Sequence, residues 1–128
     1  MDHDDEIDAL QAEFLKTLAN PRRLRILHLL STGPTGVASL ARQLGISQPN
    51  ASQHLAVMRA AGVVEAERDG REVRYRIADP EIVVACGIVH AVLERRFGRL
   101  AGLTGTARPT AATASTFDRS DASAIPTR

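Results

Sequence analysis

Apolar positions along the chain recur with two different periods, and each change of period marks an element. Between residues 7 and 19, Ile7, Leu10, Phe14, Leu15 and Leu18 fall three or four apart, the spacing of one helix face. A second helix is expected from Pro21, a residue suited to the first helical position, behind Asn20, which can cap it. Leu24, Leu27 and either Leu29 or Leu30 supply its buried stripe, and Gly33, Pro34 and Gly36 in "TGPTG" then break the pattern. A short third helix, "VASLARQL", offers Val37, Leu40, Ala41 and Leu44 to a core and stops at Gly45, a residue suited to a left-handed cap.

The next stretch, "GISQPNASQHLAVMRAAGVVEA", has a polar front and an apolar back. Ser47 caps a fourth helix, Ala51, Leu55 and Met58 repeat toward the core, and Gly62 ends it. An ordinary surface helix would carry mainly Glu and Lys on its polar positions, because these form helices well. Here the positions hold Ser47, Gln48, Asn50, Ser52, Gln53 and His54, mostly neutral groups that donate and accept hydrogen bonds. Helix, glycine-containing turn and a helix with such a front make a helix-turn-helix, its front shaped for base edges and phosphates in a major groove. His54 stands next to the core residue Leu55 and so at the flank of that front.

In "VVEAERDGREVRYRIA" the period drops to two, and 63 to 68 should pair antiparallel with 71 to 77 around Asp69-Gly70. Arg68, Arg71, Arg74 and Arg76 ride on this hairpin, which makes it a basic wing placed to grip phosphates or enter a minor groove. Glu65, Glu67, Asp69 and Glu72 lie among the arginines and draw part of that charge into surface pairs. A last helix starts at Asp79 and Pro80 and is apolar nearly all round from Ile82 to Leu93, interrupted by Gly87 and His90. One small domain offers one core, so the second cover of such a helix is expected from a partner subunit. The expected fold is therefore mainly α with a small β-hairpin: a winged helix-turn-helix with four helices, a two-stranded wing and a C-terminal dimerisation helix. Its boundaries are expected at 7 and 101, between an acidic tail at 1–6 and a disordered, Ala/Thr/Ser-rich tail at 102–128.

Composition narrows the function. The 128 residues amount to one domain. Three Phe, one Tyr and no Trp leave little to stack on single-stranded bases, so the expected nucleic-acid partner is a duplex. The net charge of +1 conceals a partition: residues 1–13 carry six acids and no Lys or Arg, while 14–64 carry Lys16, Arg22, Arg23, Arg25, Arg42 and Arg59 and no acid. A stretch without carboxylates suits a surface that faces phosphate. No apolar run reaches the ~20 residues of a membrane span, and the acidic start lacks the basic region of a secretory signal, so a cytoplasmic protein without membrane contact is expected. A single cysteine, Cys86, excludes an intramolecular disulfide framework and a cysteine cage for metal.

"LKTLANPRRLRILHLL", "LARQLGISQPNASQHLAVMRAAGVV" and the "RDGREVRYRI" wing together resemble the ArsR/SmtB family of bacterial winged helix-turn-helix repressors, from about residue 13 to 95. Met58 stands where that family commonly has leucine. The resemblance implies a homodimer that binds an imperfect palindrome near its own promoter and leaves it when an inducer binds. It maps the base-contacting helix onto Ser47, Gln48, Asn50, Ser52, Gln53 and His54, and the wing arginines onto Arg68, Arg71 and Arg74. The metal-sensing signatures of the family are not carried over. "VASLAR" lacks the cysteine box, and Asp79 and Glu81 are followed by Val92 and Arg95 where distal ligands would stand.

Other candidate chemistry lies outside that pattern. Cys86, His90 and Glu94 recur every four residues and share one helix stripe, able to offer sulfur, nitrogen and oxygen to an ion such as Zn or Ni. The plainer account makes Cys86 a small buried hydrophobe, His90 an interface histidine and Glu94 a partner of nearby arginines. A redox role for Cys86 across the dimer is opposed by its apolar setting. Met1-Asp2-His3 can form a square-planar nitrogen site for Cu(II) or Ni(II), against the plainer account of a solvated acidic tail. His28 is expected at the helix surface or the core edge. An enzyme finds no support, since there is no phosphate-binding glycine loop, nucleophile elbow or paired-histidine metal motif. A protein-interaction module that has lost DNA binding is the remaining alternative, and the polar front of the fourth helix speaks against it.

Overall fold

The computed structural model describes residues 2–104, with side chains through Gly98. Helix α1 runs from His3 to Leu18, four residues earlier than the apolar period predicts. Asp2 is its cap, accepting a hydrogen bond from the Asp4 backbone N–H at 3.4 Å, and Asp4, Asp5 and Glu6 occupy the first turn. Carboxylates there meet the positive end of the helix dipole, so most of the stretch expected to be an acidic tail is instead the start of α1. Helix α2, Pro21–Leu30, begins as expected, with Asn20 Oδ1 accepting from the N–H groups of Arg22 and Arg23 at 2.9 and 3.2 Å.

Residues Thr35–Gly36 form a short strand, β1, ahead of α3, Val37–Leu44. Gly45 closes α3 at φ 70°, with its own N–H on the Arg42 carbonyl and the Ile46 N–H on that of Ala41. This is a Schellman closure, and its left-handed residue explains why glycine stands there. Helix α4, Gln48–Ala60, follows after only Ile46 and Ser47, and the same pair of bonds, Gly62 to Arg59 and Val63 to Met58, ends it.

Strands β2, Val64–Asp69, and β3, Glu72–Ile77, pair antiparallel from Val64 opposite Ile77 to Asp69 opposite Glu72. The two-residue loop is therefore Gly70-Arg71, one step beyond the expected Asp69-Gly70. Gly70 has φ 68° and Arg71 a negative φ, the φ pattern of a type II′ turn, which wants glycine first. The wing also has a third strand that the sequence pattern did not predict. β1 pairs with the far side of β3, Thr35 opposite Tyr75 and Gly36 opposite Arg74, giving the order β1-β3-β2.

Residues up to Ala78 form one unit, whose core gathers Leu18, Ile26, Leu27, Leu30, Leu40, Ala41, Ala51, Leu55, Met58, Val63 and Val64. α2 is packed by α1, α3, α4 and β3. With so many sides covered, His28 is 2% exposed, inside the core rather than at its edge, and Ile26 joins the expected leucines. α1 behaves oppositely. Leu18 is buried, but Ile7, Leu10 and Leu15 are 47, 66 and 52% exposed, so most of its apolar stripe is uncovered within one chain. The second unit contains α5, Pro80–Thr104, whose Asp79 cap accepts from the Glu81 N–H at 3.0 Å. Ile88, Val89, Leu93 and Phe97 are exposed along it. α5 ends three residues past the expected boundary at 101, and the rest of the expected tail lies outside the described residues.

Candidate nucleic-acid interface

The candidate reading surface is the front half of α4. Ser47 caps the helix, its Oγ accepting from the Asn50 N–H at 3.2 Å, so the helix begins where the neutral polar residues do. Ala51, Leu55 and Met58 are completely buried and fix which side faces inward. Burying a leucine- or methionine-sized side chain stabilises by about 1.5–3 kcal/mol, enough for these two to orient the helix. Ser47, Gln48, Asn50, Ser52 and Gln53 are all exposed as a result. They are donors and acceptors without formal charge, chemically matched to base edges.

His54, the sixth residue expected on this front, is placed differently. It is half-buried, and its Nδ1 accepts a hydrogen bond from Nε of Arg23 at 3.2 Å. Burial, and then the charges of Arg23 and Arg22, hold the imidazole below the usual histidine range. A neutral ring is what the hydrogen bond requires, because only a neutral imidazole has an acceptor nitrogen. Arg23 also donates through Nη1 to the Thr17 carbonyl at 3.2 Å. The sequence pattern gave Arg23 no role beyond its charge; its place at the start of a helix directly after another helix end was the available signal.

On the wing, Arg68 and Arg71 are exposed. Arg74 is drawn back, donating from Nη1 to Asp69 Oδ2 at 3.2 Å and from Nη2 to the Pro34 carbonyl at 3.4 Å. Arg76 bridges Glu65 at 2.7 Å and Glu67 at 3.0 Å, two residues on one face of β2. The carboxylates interleaved in the hairpin thus engage the arginines of the middle strand and leave the two near its tip outside those pairs.

The candidate metal ligands do not come together. Among the described residues no group of three His, Cys, Asp or Glu side chains could hold an ion. His90 Nε2 and Glu94 Oε1 lie 3.8 Å apart on α5, and Cys86 is half-buried, its thiol pushed up by burial. His3 is the first residue of α1, and a site wrapped around the amino terminus would include Met1, outside the described residues. No described helix is long and apolar enough to cross a membrane.

A capped helix with a neutral polar front, set by a glycine turn against a preceding helix and followed by a basic hairpin, defines a winged helix-turn-helix regulator. Residues 20–66 match the family described as bacterial regulatory protein, arsR family. The chain is 46% identical over 87 residues to the HTH-type transcriptional regulator Rv0081 of Mycobacterium tuberculosis, covering 67% of this chain and 76% of that one. The crystal structure of Rv0081 superposes with TM-score 0.67 over 74% of this chain and 96% of that chain. The HTH-type transcriptional repressor SmtB of the same organism is 42% identical over 88 residues, 67% of this chain and 65% of SmtB. A homodimeric winged helix-turn-helix DNA-binding domain from Mycobacterium bovis, 34% identical, superposes with TM-score 0.68 over 73% of this chain and 87% of that chain. The chain belongs to the ArsR family of bacterial regulatory proteins.

Proposed function

We propose that the protein is a cytoplasmic, homodimeric, sequence-specific transcriptional repressor that binds a palindromic operator. The observation that carries this reading is the exposed row of Gln48, Asn50, Ser52 and Gln53 on a helix whose opposite side is fully buried. Gln and Asn can each pair bidentately with adenine, and serine with several base edges. Arg68 and Arg71 meet phosphates and set affinity without reading sequence, and Arg74 reinforces them when it releases Asp69. Ser47 combines its cap with a phosphate contact. His54 stands behind the reading row and supports it.

The dimer forms through α1 and α5, whose exposed Ile7, Leu10 and Leu15, and Ile88, Val89, Leu93 and Phe97, need cover. Two α4 helices then enter successive major grooves about 34–36 Å apart. That spacing makes a two-fold operator the natural target. Titration of labelled duplex from upstream of the protein's own gene, followed by fluorescence anisotropy at fixed salt, tests this. Binding far tighter than to random duplex, with one dimer per site, is expected. Equal binding to both duplexes would remove the operator reading. Adding Zn(II), Ni(II) or a thiol oxidant to the same titration identifies an inducer by release.

A further inference from the structure

Arg23 makes three contacts with three different consequences. Its backbone N–H closes the Asn20 cap of α2, its Nη1 meets the Thr17 carbonyl in the last turn of α1, and its Nε meets His54 Nδ1 on α4. The carbonyls of a last helical turn have no partner within the helix, and a guanidinium satisfies one of them while meeting the negative end of the dipole. On the other side, His54 lies between the exposed Gln53 and the buried Leu55, where the reading row turns into the core. We propose that Arg23 is a positioning residue for DNA recognition, its guanidinium tying the end of α1 to His54 and so fixing the angle at which α4 is presented. This rests on the repressor reading above and adds to it a residue that touches no base.

Apolar burial through Ala51, Leu55 and Met58 decides which side of α4 faces inward, but such contacts carry no direction along or around the helix. Two directed hydrogen bonds from one rigid fork supply it. Only arginine can make both, because its planar group presents several donors at fixed angles, whereas a lysine offers one nitrogen. α1 is also the helix with the uncovered apolar stripe, so the same guanidinium links the proposed dimer helix to the reading helix.

The clamp has a proton sensitivity that a phosphate contact lacks. Protonated His54 has no acceptor at Nδ1 and adds a third positive charge beside Arg23 and Arg22, both from α2. α1, α3 and β2 also pack against α4, and no charged group of theirs acts on the ring among the described residues. The ring is held below its usual range, so the clamp is whole above the ordinary histidine value and is lost as pH falls through the lower value of the folded protein. Recognition should therefore weaken in acid. A histidine that touched phosphate directly would strengthen binding there instead.

The test uses the full chain and a duplex it selects from a random pool, with wild type, Arg23→Lys, Arg23→Gln and His54→Asn compared by anisotropy and each fold checked by circular dichroism. Arg23→Lys should lose about tenfold on the selected duplex, the smaller end of what a charged hydrogen bond contributes, while random duplex and the salt slope stay unchanged. Between about pH 7.5 and 5.5 the wild type should lose about tenfold on the selected duplex. His54→Asn, which keeps a neutral acceptor near the place of Nδ1, should lose that pH dependence. It keeps the idea testable if the Arg23 variants melt. Three results would overturn the clamp: Arg23→Lys binding like wild type, a slope lowered by about 0.9 in Arg23→Gln, which marks a lost phosphate contact, or an unchanged pH profile in His54→Asn. A pool that yields no preferred duplex would overturn the repressor reading itself, and the clamp with it.

Discussion

Replacing Arg71 by alanine isolates the electrostatic share of the wing. Of the four hairpin arginines, Arg76 is held by Glu65 and Glu67 and Arg74 by Asp69 and the Pro34 carbonyl, whereas Arg71 sits on the exposed two-residue loop. If Arg71 meets one phosphate, its loss removes about 0.9 from the slope of log affinity against log salt. A fourfold rise in salt, from about 50 to 200 mM, then weakens wild type about 3.5 times more than the variant. The loss should be equal on operator and random duplex, because phosphates carry no sequence. The assay is anisotropy at four or more salt concentrations on both duplexes. Arg74→Ala should show a smaller slope change, since that guanidinium must first leave Asp69. An Arg71→Ala protein with wild-type affinity and slope would refute the placement of the wing on DNA.

Three further outcomes follow from the same geometry. Gln53→Ala should keep the salt slope but lose about 1–3 kcal/mol of discrimination at one base pair per half-site, read by titrating singly substituted operators. Leu10→Glu places a carboxylate on the 66%-exposed apolar stripe of α1, so it should leave the helical circular dichroism intact and shift sedimentation from dimer toward monomer. Because burial raises the Cys86 thiol, alkylation by iodoacetamide at pH 8 should be slower than for free cysteine and should keep accelerating above the ordinary thiol range. Labelling as fast as free cysteine would show that the thiol is neither buried nor raised.

Most of this fold was legible because its punctuation is local. Asn20, Gly45, Ser47 and Gly62 each act on backbone groups within five residues, so residue type and spacing place the ends of α2, α3 and α4. The inward side of α4 was legible for the same reason, since a period of 3.6 fixes Ala51, Leu55 and Met58 together. At the start of α1 a local signal was present but outweighed. Asp2 followed by Asp4, Asp5 and Glu6 is a capping and dipole pattern, yet it lacks apolar residues, and the apolar period does not begin until Ile7.

What escaped the sequence pattern is pairing across long separations. β1 is two residues between Pro34 and α3, too short for a period, and exists because β3 has a free edge to which Thr35 and Gly36 can bond. His28 looks like a surface residue by composition, but four elements close over α2. The case of His54 is the most instructive for function. By type and spacing it belongs with Gln53 on the reading row, and only the fold, by bringing Arg23 thirty-one positions away to 3.2 Å, turns it from a reader into a fixture. A polar residue on a recognition helix can thus serve specificity by fixing how its neighbours are presented. Substitution at His54 should then change discrimination at several base pairs at once, where substitution at Gln53 changes it at one.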